Sequence, residues 1–453
     1  MQRSSGSARS GKITLFDSSD YKISDGHKKH FFYIMKSTYQ SVFILFFSII
    51  SISLFAQEPD QDKKKDGSGF AGPDQVERQL KDDYEAKESF LKLRFLQPYF
   101  DFKNKLKENS GFSFGLDYTG AYFAANKSLG LNDAGSGMIR LYGSWELTGR
   151  GGKNTGALVS KIEHRHKYGA IPVVALGSEL GYIGAIEPTF NDEGFRMTNF
   201  YWRQRVWQGR IVFIAGLLDP ADYLDVYMLA SPWQHFTNLT FSTGSSAMYI
   251  PNDASLGIAV AGYITNHIYA LVSLDDNNSN PTEPFKSFET FFSKHQYYKS
   301  AEIGWVSSKE RQFFDNIHIT YWHSDGSEET SSPSGWGLNF SATWYVQDKF
   351  MPFLRGGYAE DANTMLQKSV SAGCAYQAVP GGHLLGAAIN WGEINESTYG
   401  QDLDNQITME VFYRMQVTTE FAITPDVQYL INPALNTDVT SIFLWGVRGR
   451  IVL

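Results

Sequence analysis

From Gly111 to Leu453 the side chains alternate with a period of two, and nothing else in the 453-residue chain restricts its fold as much. Met138, Arg140, Tyr142, Ser144, Glu146 and Thr148 fall on one side of a pleated strand, with Ile139, Leu141, Gly143, Trp145 and Leu147 on the other. Gln406, Thr408, Glu410, Phe412, Arg414 and Gln416 alternate in the same way with Ile407, Met409, Val411, Tyr413, Met415 and Val417. So do Leu338, Phe340, Ala342, Trp344 and Val346 with Asn339, Ser341, Thr343 and Tyr345. Successive strand side chains point to opposite faces, so each segment has one greasy and one wet side. Soluble sandwiches alternate too, but they need turn signals every 8–12 residues and repeated cores. Here Trp and Tyr gather near the ends of the apolar faces, as membrane-interface girdles do, and Arg and Glu occupy the polar faces. Breaks fall at Gly149-Arg150-Gly151-Gly152, at Asp275 to Asn280 and at Pro380-Gly381-Gly382. At roughly 21 residues per strand and connection, this region predicts an all-β, transmembrane antiparallel barrel of about sixteen strands.

The last segment fits a closing strand. Phe443, Trp445, Val447, Ile451 and Leu453 take alternate positions, and Arg448 and Arg450 lie opposite. Most such barrels end in an aromatic residue; this one ends in Leu453. Composition agrees: aromatics are 15% and charged residues 19%, while the mean hydropathy is −0.29. Uncharged polar residues therefore fill the wet faces. A net charge of −8 gives no electrostatic footprint for nucleic acid. One cysteine excludes a disulfide framework and any multi-cysteine metal site.

The N-terminal part reads differently. Met35-Lys36-Ser37, the apolar run Val42 to Ala56 and the small residue before Gln57 make a secretory signal peptide cleaved near Ala56. The run is shorter than the ~20 residues needed to span hydrocarbon. Residues 1–34 are polar and patternless, so translation starts at Met1 or Met35. After Ala56 no run reaches helix-spanning length. Residues 58–72 predict a flexible linker. Asp74 and Glu77 fit a capping box, and Val76, Leu80, Tyr84, Lys87 and Leu91 keep helical spacing up to Pro98. This predicts a helix over 74–97, either packed on the barrel mouth or acting as a plug or assembly device. The organisation is thus 1–57 extension and signal peptide, 58–110 periplasmic linker and helix, and 111–453 barrel.

Several ordered blocks resemble the OprB-type carbohydrate-selective porins. Ala215-Gly216-Leu217-Leu218-Asp219-Pro220, then Tyr223 and Asp225, then Phe236 and Asn238, follow that family's signature. Trp145-Glu146-Leu147, Gly156-Ala157-Leu158 and Glu163-His164-Arg165 resemble it upstream. Downstream stand Ala387-Ala388-Ile389-Asn390-Trp391-Gly392, Glu410, Tyr413, Thr424 to Tyr429, Asn432-Pro433-Ala434 and Gly446 to Arg450. Leu217-Leu218 and Leu453 depart from the pattern. The resemblance implies passive diffusion of small sugars or other small solutes through an outer-membrane barrel, with no catalysis and no cofactor; the alternative is a non-conducting outer-membrane barrel acting as a structural or adhesion protein. Its partners would be membrane lipid and the barrel-assembly machinery; a single copy and a homo-oligomer both stay open.

A sugar in a pore needs hydroxyl partners, and charged hydrogen bonds are the strong ones. The candidate lumen residues are Arg140, Glu146, Glu163, Arg165, Arg203, Arg205, Glu410 and Arg414, with Lys161 and Lys167 on the same face as Glu163. Tyr142 and Tyr345 could stack on a pyranose, while the bland alternative is that all these charges only solvate the wall. His164 and His166 lack further metal ligands on their face and read as interface or rim residues. Asp275 to Asn280 lacks calcium-loop spacing and reads as a solvated external loop. Gly149 to Lys153 lacks phosphate-loop spacing. No G-x-S-x-G elbow occurs, and Cys374 is a free thiol on an apolar face.

Overall fold

The computed structural model describes residues 70, 72–85, 87–93, 96–379 and 381–453. The signal segment and most of the linker lie outside the described residues. Sixteen strands form one closed antiparallel barrel. The first eight are β1 (Phe112–Ala125), β2 (Asp133–Thr148), β3 (Gly156–Lys167), β4 (Gly194–Val206), β5 (Ile211–Leu218), β6 (Ser255–Tyr263), β7 (Ile268–Asp276) and β8 (Tyr297–Val306). The remainder are β9 (Asn316–Ser324), β10 (Gly335–Thr343), β11 (Phe350–Asp361), β12 (Leu366–Gln377), β13 (Leu384–Ile394), β14 (Gln406–Gln416), β15 (Phe421–Ile431) and β16 (Ser441–Val452). Each strand pairs with its sequence neighbours, and β1 closes on β16 in a register from Asp117 opposite Val452 to Ala125 opposite Leu444.

Alternation sorts the residues as the pattern predicts. Leu141 is 50% exposed and Val411 42%, whereas their chain neighbours Arg140 and Glu410 are 0% and 1% exposed. A one-residue slip would exchange these faces at every position. Trp145, Phe443 and Trp445 are exposed on the outside, as are the His164 and His166 side of β3 and the thiol of Cys374. Such an outer surface is stable only against lipid.

The two rims differ. The rim that holds both barrel ends has short connections, such as 207–210 and 264–267, and none exceeds nine residues. The opposite rim carries 168–193 and 219–254, of 26 and 36 residues.

The N-terminal helix departs from expectation. Instead of one helix over 74–97 there are two, α1 (Val76–Tyr84) and α2 (Gln97–Ser110). Helical spacing continues past Tyr84, but tertiary bonds take over. The Phe90 and Leu91 N–H groups donate to the carbonyls of Gln416 and Val417 at 2.8 and 2.7 Å, which draws this stretch out extended along the barrel's short-turn rim. Pro98, expected to end a helix, instead begins α2, where its missing N–H costs nothing. The capping box is also absent: the Gln75 side chain caps α1 through Arg78 N, and Glu77 is directed elsewhere. α2 ends at Gly111, whose φ of 74° suits glycine. Lys103 of α2 is buried among the rings of Tyr84, Tyr99, Phe100 and Phe114 and donates to the Leu453 carbonyl at 3.0 Å.

Candidate functional site: the barrel lumen

A lumen wide enough for sixteen strands would be open unless something entered it. The 219–254 connection does. Asp219 and Asn238 start short turns by accepting from Ala221 N and Thr240 N, a local use that suits Asp and Asn. Between those turns the segment bonds to strands all round the barrel. Asp222 meets Lys161 of β3 at 3.4 Å, Tyr223 donates to Asp275 of β7 at 2.9 Å, and Ser371 of β12 donates to Thr240 O at 2.9 Å. Asn238 donates to Glu410 of β14 and to Gln428 of β15, both at 3.0 Å. A single segment can touch opposite walls only from inside.

Three buried charged groups fix it there. The Asp225 carboxylate accepts from Arg355 of β11 and from Gly244 N, and it meets His318 Nε2 of β9 at 3.0 Å. Glu410 accepts the Thr237 and Asn238 N–H groups. Arg448 of β16 donates to the carbonyls of Pro232 and His235 and lies 3.5 Å from Glu187. Removing one partner of such a pair leaves an uncompensated buried charge.

α1 enters the lumen as well, so the mouth-packing alternative is set aside. Glu77 binds Arg203 at 2.6 Å, Arg205 at 3.1 Å and Ser144 at 3.0 Å. Asp83 accepts from Tyr142 and lies 3.1 Å from Arg450. The Gln79 amide oxygen faces Arg140 and the Trp233 indole N–H at 3.0 and 3.3 Å.

What remains open is a cavity of about 530 Å³ toward the long-loop rim and one of about 450 Å³ toward the short-turn rim. Trp233 lines both. The Arg140 guanidinium lies 4.4 Å from its ring centroid, a cation–π contact that braces the indole between them. In the loop-side cavity, Lys161, Arg165 and Arg196 face Asp74, Asp219, Asp222 and Asp253. Burial raises Asp74 to about 6 and Asp222 to about 7, and it raises Asp219 further with Asp253 adding to the effect. In the turn-side cavity burial pushes His235 well below the usual histidine range, and Arg414 and Arg448 push it the same way.

A family model described as "Carbohydrate-selective porin, OprB family" matches residues 317–453, from the second residue of β9 to the end of the chain. That match covers under a third of the chain, its C-terminal strands alone. No curated protein matches by sequence. Among solved structures, the high-pH form of Pseudomonas putida OprB superposes with a TM-score of 0.61 at 13% identity, covering 78% of this chain and 97% of that one. Its low-pH form gives 0.49 at 11% identity, covering 82% and 100%. A Rh. blastica porin variant gives 0.49 at 12% identity, covering 76% and 100%. At these identities the first likeness establishes the fold, a sixteen-stranded porin barrel.

Within this barrel the eight residues named from sequence have separate employments. Glu163 and Arg165 line the loop-side cavity and bind each other at 2.6 Å. Arg414 lines the turn-side cavity. Arg203 and Arg205 border a third cavity of about 40 Å³, where Glu77 holds them. Glu146 stands 3.8 Å from Arg203. Arg140 and Glu410 lie in the wall's own ion pair and the loop anchor, at Asp117 and at Thr237–Asn238. Tyr142 is spent on Asp83, while Tyr345 does line the turn-side cavity. Lys167 pairs with Asp192 at the rim.

The solvated loop expected at Asp275 to Asn280 is corrected. Asp275 to Ser279 are buried: Asp276 accepts from Ser287 and Thr290 of the helix Lys286–Ser293, and Asn278 from Glu328 N and Glu329 N. Neighbouring connections fold over this polar turn and take up its hydrogen bonds. No three-residue metal cluster occurs among the described residues. Residues missed from sequence are Asp225, His318, Trp233 and Asp83. Only Asp225 had a signal, as part of the family's Tyr–Asp block.

Proposed function

We propose that the chain is an outer-membrane porin that passes small sugars by passive diffusion, entering at the long-loop rim and leaving at the short-turn rim. The observation that carries this reading is the 219–254 connection seated inside a lipid-facing barrel, leaving a charged cavity on each side of Trp233. Short turns on one rim and long loops on the other give barrels of this kind their periplasmic and external sides. The OprB match and the porin fold support the same assignment, and with it a transport channel rather than an enzyme.

The loop-side cavity suits an uncharged polyol. Glu163 with Arg165, and Arg196 with Asp253 at 2.6 Å, put donors and acceptors side by side on its wall. Hydroxyls can exchange bonds along such a surface without one full charge holding them. A charge-assisted bond contributes about 1.5–3 kcal/mol, so a few of these recognise a sugar and still release it. Val42 to Ala56 would serve export and be removed. The test is swelling of liposomes holding the mature chain, in a panel of sugars and size-matched charged solutes. Faster entry of monosaccharides is expected. Neither swelling nor channel conductance would mean a barrel that conducts nothing.

A further inference from the structure

Nine arginines stand on the barrel strands among the described residues, and eight lie within 3.5 Å of a carboxylate. The ninth is Arg414 on β14. It has no ion pair and no hydrogen bond to any described residue, and its Nε is buried without a partner. It lines the turn-side cavity of about 450 Å³, together with Lys87, which likewise has no ion pair among the described residues. His235 Nδ1 and Arg448 Nε, on the same cavity, are also buried and unpartnered.

The carboxylates of this cavity are occupied. Asp82 is held by Arg78 at 3.2 Å, Glu85 lies 3.9 Å from Lys81, and Glu420 accepts from the Thr418 hydroxyl at 3.1 Å. Arg414 acts on two neighbouring groups of this cavity. His235 is driven down by burial and then by Arg414 and Arg448. Lys87 is driven down by burial, reinforced by Arg450 and Arg414 and opposed by Asp83 and Asp82. Every other strand guanidinium has its counter-ion, Arg448 and Arg450 of this cavity included; Arg414 has none among the described residues.

We propose that the turn-side cavity is a binding site for an acidic sugar, with the solute's carboxylate or phosphate supplying the counter-ion that Arg414 lacks. A guanidinium presents a planar fork of donors that fits either oxyanion. The rest of the wall fits the sugar body. Gln234, Gln377, Gln416 and Thr424 offer neutral hydrogen bonds, and the stacked Phe314 and Tyr345 rings, 5.1 Å between centroids, offer a flat apolar face. The inference rests on the porin reading only in that solutes reach this cavity through the lumen. The binding itself stands without conduction.

The test uses the mature chain in detergent, titrated calorimetrically with glucuronate, glucose 6-phosphate and glucose, and the same solutes applied as blockers of bilayer conductance. Glucuronate or glucose 6-phosphate should bind at least about tenfold more tightly than glucose, the scale of one charge-assisted hydrogen bond. Whichever acid binds better identifies the preferred oxyanion. In Arg414→Gln that advantage over glucose should vanish, and Arg414→Lys should keep part of it. Heat-modifiable migration on gels checks that each barrel is folded. Lys87→Gln, on a segment outside the wall, should reduce the advantage by a smaller factor. Equal binding of acids and glucose in the unaltered chain overturns the proposal. So does an advantage that survives Arg414→Gln. Absent conductance with intact glucuronate binding would defeat the porin reading and leave this site standing.

Discussion

The two cavities are walled by the same barrel, yet their charges are arranged on different plans. On the loop side Lys161, Arg165 and Arg196 each lie beside a carboxylate, and acids outnumber bases. On the turn side Arg414 and Lys87 have no ion pair among the described residues. Trp233 and the loop that carries it separate the two. The difference teaches that a lumen charge has at least three employments. It can hold an internal segment in place, as Asp225, Glu410 and Arg448 do. It can be neutralised on the wall, as Arg165 is. Or it can be left for a solute.

The sharpest way to break this arrangement is to release the partition. Asp225→Ala strands Arg355 in the lumen without its carboxylate and deprives Gly244 N of an acceptor. A cost of about 3–5 kcal/mol is expected for breaking such a buried pair, read as a lower urea midpoint in detergent. Where the barrel survives, single-channel conductance should rise several-fold as the two cavities merge. An unchanged midpoint and conductance would show that the loop is held without this pair.

Trp233→Ala tests the partition alone. It removes the indole that both cavities share and leaves the anchors of Asp225 and Arg448 in place. Conductance should rise, by less than with Asp225→Ala, and the discrimination between monosaccharides and larger sugars should fall. Conductance as before would mean that the narrowest point lies elsewhere.

A third contrast separates paired from unpaired cations. Arg165→Gln leaves Glu163 buried with a weaker partner and should cost about 1–3 kcal/mol. Arg414→Gln strands no carboxylate and should stay within about 0.5 kcal/mol. Equilibrium unfolding of the two variants side by side measures this. Equal costs would show that Arg414 has a counter-ion after all.

These contrasts also mark where the sequence was readable. Wall orientation was legible because it depends on a one-dimensional period: Leu141 and Val411 face out, and Arg140 and Glu410 face in, as alternation requires. Strand number followed from the same spacing. Which charges would meet inside was not legible. Asp225 and Arg355 are 130 residues apart, and Glu410 and Thr237 are 173 apart, with no local pattern joining them. α1 shows the limit in the other direction. Its helical period was readable from Val76 to Tyr84 and then gave way, because Phe90 and Leu91 found partners on the short-turn rim. The polar run at Asp275 was misjudged for the same reason: polar residues read as exposed when the neighbouring loops that cover them are not yet known.

The smallest expected effect is also the one that most directly separates the cavities, because the carboxyls raised to about 6 and about 7 line the loop-side one. Asp74 lines the loop-side cavity, and burial raises its carboxyl from 3.8 to about 6, although Ser231, Arg140 and Lys161 oppose the shift. Asp219, Asp222 and Asp253 lie in the same cavity, and Asp222 is raised to about 7. A carboxyl raised on folding binds its proton more tightly in the folded state. Its contribution to stability is therefore fully present below about pH 4 and is lost as pH rises through about 6. With partial exposure of Asp74 discounted, that loss is of the order of 1–2 kcal/mol. Over the same interval the loop-side cavity gains negative charge, so preference for cations in the conductance should increase between pH 5 and 8. In the turn-side cavity His235 is pushed the other way, well below the usual histidine range, by burial and by its arginine neighbours, so it adds no step over this interval. Asp74→Asn should lessen both the stability slope and the selectivity rise, leaving the share carried by Asp222, while His235→Gln should leave both as they are. Reversal potentials in a salt gradient at each pH decide it. A rise lessened by His235→Gln rather than by Asp74→Asn would place the titrating group on the other side of Trp233.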